Sequence, residues 1–207
     1  MKKVLLILII FSLNTLSFAQ RRYTVDSSIF DVAPFKYHMG SGAFQRSLQM
    51  NVNFPAVQDI FKTLDKELKG KLTKRNARIE AHITVITPPE FDSKLAEFIS
   101  IEEIHQLALA KGIQHSTFDI VCIGKGEAKI SGELEETYYL VIQSNALNKL
   151  REEIRDLYIS RGGNPQQFSA TDYYPHITIG YTSKDLHIGP HGVKKNIESC
   201  YRDIDIW

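Results

Sequence analysis

Glu80-Ala81-His82-Ile83-Thr84-Val85-Ile86 and Tyr174-Pro175-His176-Ile177-Thr178-Ile179-Gly180 repeat one phrase, His-Ile-Thr set in a β-branched run. Extended backbone alternates its side chains, so in each copy the histidine and threonine share a face and the isoleucine takes the other. One copy alone constrains little, because a strand histidine is commonly a hydrogen-bonded packing residue. Two copies in matching contexts, about half a domain apart, predict a duplicated lobe with both pairs facing one cleft. Two imidazoles and two hydroxyls around a shared point suit an oxyanion such as a phosphate.

The intervening sequence supports a single α+β domain with two pseudo-equivalent halves. Phe44 to Phe54 alternates as a strand, with Leu48, Met50 and Val52 on one face. Pro55 opens a helix whose stripe is Val57, Ile60, Phe61, Leu64 and Leu68, and Gly70 ends it. The first His-Ile-Thr strand spans Arg78 to Thr87 and stops at Pro88-Pro89. Ser93 to Lys111 reads as two short helical pieces, the second capped by Ser100-Ile101-Glu102-Glu103. Thr117 to Ile123 is a strand, Gly124-Lys125-Gly126 a turn, and Thr137 to Gln143 a further strand. Asn145 caps a helix to Ser160 with Leu147, Leu150, Ile154, Leu157 and Tyr158 inward. The second His-Ile-Thr strand spans Tyr173 to Thr182, and Tyr201 to Trp207 adds a last strand.

The chain's start follows another logic. Met1-Lys2-Lys3, an apolar run from Val4 to Leu13 and Ser17-Phe18-Ala19 form the pattern of a cleaved export leader. The apolar run is short of the ~20 residues of a membrane span. The expected division is a leader at 1–19, an irregular arm at 20–43 and the domain at 44–207, secreted or periplasmic, without a membrane anchor after cleavage and monomeric. The 25 basic and 24 acidic side chains nearly cancel, which argues against a duplex nucleic acid partner. Small phosphorylated ligands and short single strands remain open. Cys122 and Cys200 are the two cysteines. They can pair in an oxidising compartment, but the apolar run around Cys122 reads more readily as the site of a buried thiol.

The pair His82-Ile83-Thr84 and Pro175-His176-Ile177-Thr178, with a hairpin and a helix between them, resembles the 2H (two-histidine) phosphoesterase superfamily, which includes 2′-5′ RNA ligase-like proteins and 2′,3′-cyclic phosphodiesterases. The likeness covers Phe44 to Thr182. It implies a bilobal fold in which two antiparallel sheets form a V-shaped groove, helices pack outside, and one His-x-Thr from each lobe lies on the floor. It implies no particular substrate.

Opening a cyclic phosphodiester needs a base for water and an acid for the leaving alkoxide, and histidine titrates near the working pH for both. The resemblance makes His176 the base and His82 the acid, although the residues alone do not set that direction, with Thr84 and Thr178 donating to the non-bridging oxygens. No metal or cofactor is called for. Tyr174 and Tyr181 are candidates for stacking on a base, and Arg46 and Arg78 for phosphate contact. Arg78 closes a basic run of Lys69, Lys71, Lys74 and Arg75. His187 and His191 are interrupted by Gly189-Pro190 and read as a solvated loop. His38, His105 and His115 read as surface or packing residues. The expected substrate is a small nucleotide or an RNA-end phosphodiester. The alternatives are an RNA-end-processing nuclease and a non-catalytic exported nucleotide or oligonucleotide binder.

Overall fold

The computed structural model describes residues 22–73 and 80–207, so the leader pattern, Lys74, Arg75 and Arg78 lie outside the described residues. The strands are β1 (Tyr23–Val25), β2 (His38–Met39), β3 (Arg46–Val52), β4 (Ala81–Ile86), β5 (Asp119–Ile130), β6 (Glu133–Gln143), β7 (His176–Tyr181), β8 (Cys200–Arg202) and β9 (Ile204–Ile206). The helices are α1 (Phe54–Glu67), α2 (Pro88–Glu90), α3 (Ile101–Ala110), α4 (Asn145–Ser160) and α5 (Ile188–His191). Seven strands join in the order β2-β3-β4-β7-β6-β5-β8, all antiparallel, while β1 and β9 form a small parallel pair.

The two expected lobes are the two halves of this sheet. They meet at β4 and β7, where the ladder among the described residues narrows to the pair Ile83↔Ile177. One face carries the main core: Leu48, Met50, Val52, Ile83, Val85, Ile177 and Ile179 pack with the buried stripes of α1 (Val57, Ile60, Leu64), α3 (Ile101, Ile104, Ala108) and α4 (Leu147, Leu150, Ile154, Tyr158). Helix starts follow local chemistry. Pro55 sits in the first turn of α1, and Ser100 with Glu103 completes a capping box on α3. Ser144, not Asn145, caps α4: its hydroxyl accepts from the Leu147 amide, and Asn145 is the first helical residue.

Three expectations are corrected. Gly124-Lys125-Gly126 is not a turn but the middle of β5, and the hairpin reverses at Ser131-Gly132, both at positive φ (53° and 90°), the geometry that twisted two-residue hairpins need. The two strand glycines serve close approach instead. A Cβ at Gly124 would enter the Tyr139 ring, and one at Gly126 would enter Val193. The arm, from residue 22 on, is part of the fold, for Tyr23, Val25 and Ile29 are buried in the main core. Finally, Cys122 and Cys200 form a disulfide with Cα atoms 5.7 Å apart. Cys122 does lie in an apolar strand, but β8 pairs with β5 beside it and brings Cys200 within bonding reach.

Candidate active site

Ile83 and Ile177 stand opposite each other and are fully buried, so both point into the core. Counting outward from that pair, the antiparallel register sets His82 opposite Thr178 and Thr84 opposite His176. All four side chains alternate to the other face, where all four are half-buried. The two copies are thus related by a local two-fold axis through the isoleucine pair. Each histidine faces the other copy's threonine, and the two histidines lie on the diagonal, where such residues are roughly 7–8 Å apart. Flanking strands extend the face. Asn51 and Gln49 of β3 lie opposite His82 and Thr84, and Val141 and Tyr139 of β6 lie opposite His176 and Thr178.

Around the second copy the geometry assigns a proton. His176 Nδ1 lies 2.7 Å from the Tyr174 carbonyl oxygen, which can only accept, so Nδ1 carries hydrogen and Nε2 presents its lone pair. The ring meets Tyr139 edge-on, with centroids 5.8 Å apart. Burial, and then the Lys195 ammonium, hold His176 well below the ordinary imidazole range; the Tyr174 bond and Asp185 oppose them without prevailing. Asp185 gathers three donors: Thr137 at 2.7 Å, Lys195 at 2.7 Å and Thr178 at 3.1 Å. Burial alone would raise its carboxyl, but Lys195 and these hydrogen bonds hold it well below the usual carboxylate range. The Thr178 hydroxyl hydrogen is therefore directed at Asp185. Donation to a phosphate oxygen, as expected from the sequence, requires that hydroxyl to rotate.

The first copy has acidic company. Glu80 accepts from Lys36 at 2.9 Å. Burial acts to raise its carboxyl, yet Lys36, and after it the fields of His82 and His38, keep it low. Lys36 and His38 belong to the N-terminal arm, as Asp185, His187 and Lys195 belong to the C-terminal tail. Each half of the site thus borrows charge from one end of the chain.

The remaining candidates separate clearly. Tyr174 contributes its carbonyl to His176. Tyr181 lies opposite Thr137, one bulge beyond Thr178, and its carbonyl is bound by the Thr73 amide at 2.7 Å. Arg46 is placed elsewhere: it starts β3 in phase with Leu48, away from Gln49 and Asn51, and its guanidinium pairs with Asp92 at 2.7 Å over the Phe91 ring. Arg78 lies outside the described residues. His187 and His191 lie at the surface as expected, but on a one-turn helix rather than a loop: His187 is its exposed N-cap and His191 its last residue, with the His187 amide donating to His191 Nδ1 at 3.0 Å. Partial loss of hydration, then Lys195 and His191, lower the His187 imidazole against the pull of Asp185. His105 is a packing residue whose Nε2 donates to the Ser47 carbonyl at 2.9 Å.

Sequence reasoning missed Glu80, Asp185 and Lys195. Glu80 was within reach, since it precedes His82 by two positions and strand alternation puts both on one face. Asp185 and Lys195 carry no local signal, because a non-repetitive tail delivers them. A cavity of about 610 Å³ lined by Phe54, Phe61, Lys62, Lys66 and Ile179 lies on the α1 side and includes none of the four motif side chains. Its lining among the described residues mixes apolar side chains with Gln58, Asp65 and lysines but holds no histidine, whereas the four motif residues share one face with the Asp185–Lys195 pair, where the acid/base chemistry belongs.

The domain family described as Swiss Army Knife, 2H phosphoesterase domain, matches residues 47–187, a span that takes in both His-Ile-Thr strands. The chain belongs to this family. A search among curated proteins returns no match. As a 2H phosphoesterase the protein is a hydrolase of phosphodiester bonds. The matched span includes Asp185 and His187 but ends before Lys195 and Cys200 and begins after Lys36 and His38, so the family assignment is silent on Lys36, His38 and Lys195.

Proposed function

We propose that this 2H phosphoesterase opens a 2′,3′-cyclic phosphate, or a related small nucleotide phosphodiester, by acid/base catalysis between His82 and His176. The observation that carries the reading is the crosswise square about the Ile83↔Ile177 pair, with two imidazoles on its diagonal and a threonine beside each. An in-line displacement at phosphorus needs its base and acid on opposite sides of one atom, and a diagonal of roughly 7–8 Å spans a phosphate group. His176 Nε2, unprotonated because burial and Lys195 keep the ring neutral with its one hydrogen on Nδ1, takes a proton from water as the new P–O bond forms. His82, beside the Glu80 carboxylate, gives its proton to the ribose oxygen as the old P–O bond breaks. One proton is taken and one given, so a phosphomonoester and a free hydroxyl result. Both histidines exchange protons with solvent before the next turnover.

We place this activity outside the cytoplasm. The leader pattern of residues 1–19 supports that, and so does the Cys122–Cys200 disulfide, a bond that persists in oxidising compartments.

The test is hydrolysis of the four nucleoside 2′,3′-cyclic monophosphates by the full chain, followed by phosphorus NMR, with chelator present. His82→Ala and His176→Ala should each lose ~10²–10⁴-fold in rate, the usual share of a general acid or base. Undiminished hydrolysis by either variant would overturn the mechanism, and no hydrolysis by folded wild type would overturn the substrate.

A further inference from the structure

Lys195 is an unusual place to find an ammonium. It is only 3 % exposed, and a buried lysine is retained only where partners offset its lost hydration. Its ion-pair and ring partners belong to the second half-site. Nζ lies 2.7 Å from Asp185 Oδ1 and 5.2 Å from the centroid of the Tyr139 ring, and the same ring meets His176. Through its other oxygen Asp185 holds the Thr178 hydroxyl, and Thr137 locks the carboxylate from below. The tail is fixed at both sides of Lys195: Val193 fills the space above Gly126, and Cys200 is tied to β5. Such fixing is more than a passing surface chain needs.

We propose that Lys195 is a positioning residue of the second half-site: held by Asp185, which also binds Thr178, and sharing the Tyr139 ring with His176, its ammonium keeps that imidazole a proton acceptor and sets the threonine beside it. The groups facing His176 are Asp185, His187 and Lys195 from the tail, Tyr139 from β6, the Tyr174 carbonyl from its own approach loop, and His82 and Thr84 from β4. Lys195 is the permanent cation of this set. Asp185, which alone would favour an imidazolium, is bound to it as a pair. The kinetic part of this inference rests on the proposed acid/base reading; the structural part does not.

The experiment follows the His176 ring protons by NMR from about pH 8 to about pH 5 in the full-chain protein, with His176→Gln for assignment. Wild type and Lys195→Arg should show no His176 titration in that window. In Lys195→Met the midpoint should rise into that window, and Asp185→Asn should show no rise. A loosened site would instead raise both. An unmoved His176 in folded Lys195→Met, or a rise in both variants, would overturn the proposal. If Lys195→Met does not fold, the double variant Asp185→Asn/Lys195→Met removes both charges; a smaller rise supports the proposal and no rise refutes it. On a cyclic nucleotide, the acid limb of kcat/KM in Lys195→Met should move by the same amount with KM little changed. Wild type that turns over no such substrate would refute the substrate reading, while the titration would still decide this one.

Discussion

Replacing Arg151 with methionine removes one guanidinium and leaves the volume of its stem. Arg151 sits on α4 at 1 % exposure, and its side chain donates five hydrogen bonds: to the Val85 carbonyl at 2.6 Å, the Ala170 carbonyl at 3.0 Å, the Ser169 carbonyl at 2.8 Å, and the two Glu90 oxygens at 3.0 and 2.9 Å. The group also lies 5.0 Å from the Phe168 ring centroid and 4.7 Å from that of Tyr173. It therefore joins the end of the first motif strand to the loop that leads into the second. Removing one member of a buried ion pair costs about 3–5 kcal/mol, chiefly because the other member stays. The Glu90 side chain keeps 15 % exposure, which relieves part of that cost, while each carbonyl left without a donor adds about 1 kcal/mol or more. The expected loss is about 3–5 kcal/mol, which at roughly 2–4 °C per kcal/mol lowers Tm by roughly 6–20 °C.

Urea unfolding at neutral pH and calorimetry measure this directly. Arg151→Lys, which keeps the charge but not the planar fork, should fall between wild type and methionine. Arg22→Met is the control: its pair with Asp205 is well exposed, and such pairs contribute about 1 kcal/mol or less. An Arg151→Met protein within about 1 kcal/mol of wild type would refute the reasoning, as would a lysine variant of full stability.

Breaking the Cys122–Cys200 bond, which closes a sequence separation of 78 residues, should cost about 2–4 kcal/mol. Urea unfolding of Cys122→Ser/Cys200→Ser checks it, and a midpoint equal to wild type would mean that the tail needs no tether. Stability should also fall on mild acidification. Burial holds His105 and His176 below the ordinary imidazole value, so each binds its proton more readily unfolded than folded. Their contribution is full above the unfolded value of ~6.5 and is lost as pH falls below it. The urea midpoint should therefore be lower near pH 5.5 than near pH 7.5, and a flat or rising profile across that interval would contradict the burial of these rings.

Much of this fold is readable from periodicity. Period-two alternation marked both His-Ile-Thr strands, and spacings of three and four marked α1 and α4 because those helices bury one stripe against one face. Arg151 shows how a true pattern can be read too narrowly. It falls at the spacing of Leu147, Leu150, Ile154 and Tyr158, inside the apolar stripe, and the charge led away from a position that the period had marked. Gly124-Lys125-Gly126 misled for the opposite reason: glycine also serves where Tyr139 and Val193 must come close, and Ser131-Gly132 was the turn signal to prefer. The identities of the four motif residues were legible, but their electrostatic setting was not. Lys36, Asp185 and Lys195 arrive on segments without periodicity, placed by pairing and by a disulfide formed far along the chain.

The small β1–β9 ladder joins Tyr23–Val25 to Ile204–Ile206, so the described domain's first strand is completed by its last. A chain emerging from a ribosome or a translocation channel N-terminus first cannot close that ladder until nearly all of it has followed. Tyr23 and Val25, which the ladder holds in the core, must wait as exposed apolar side chains. Contacts of such long range slow folding, because loop closure precedes the reward. Were the chain exported unfolded to the place of activity proposed above, that delay would be an advantage: it would stay threadable until β9 had followed.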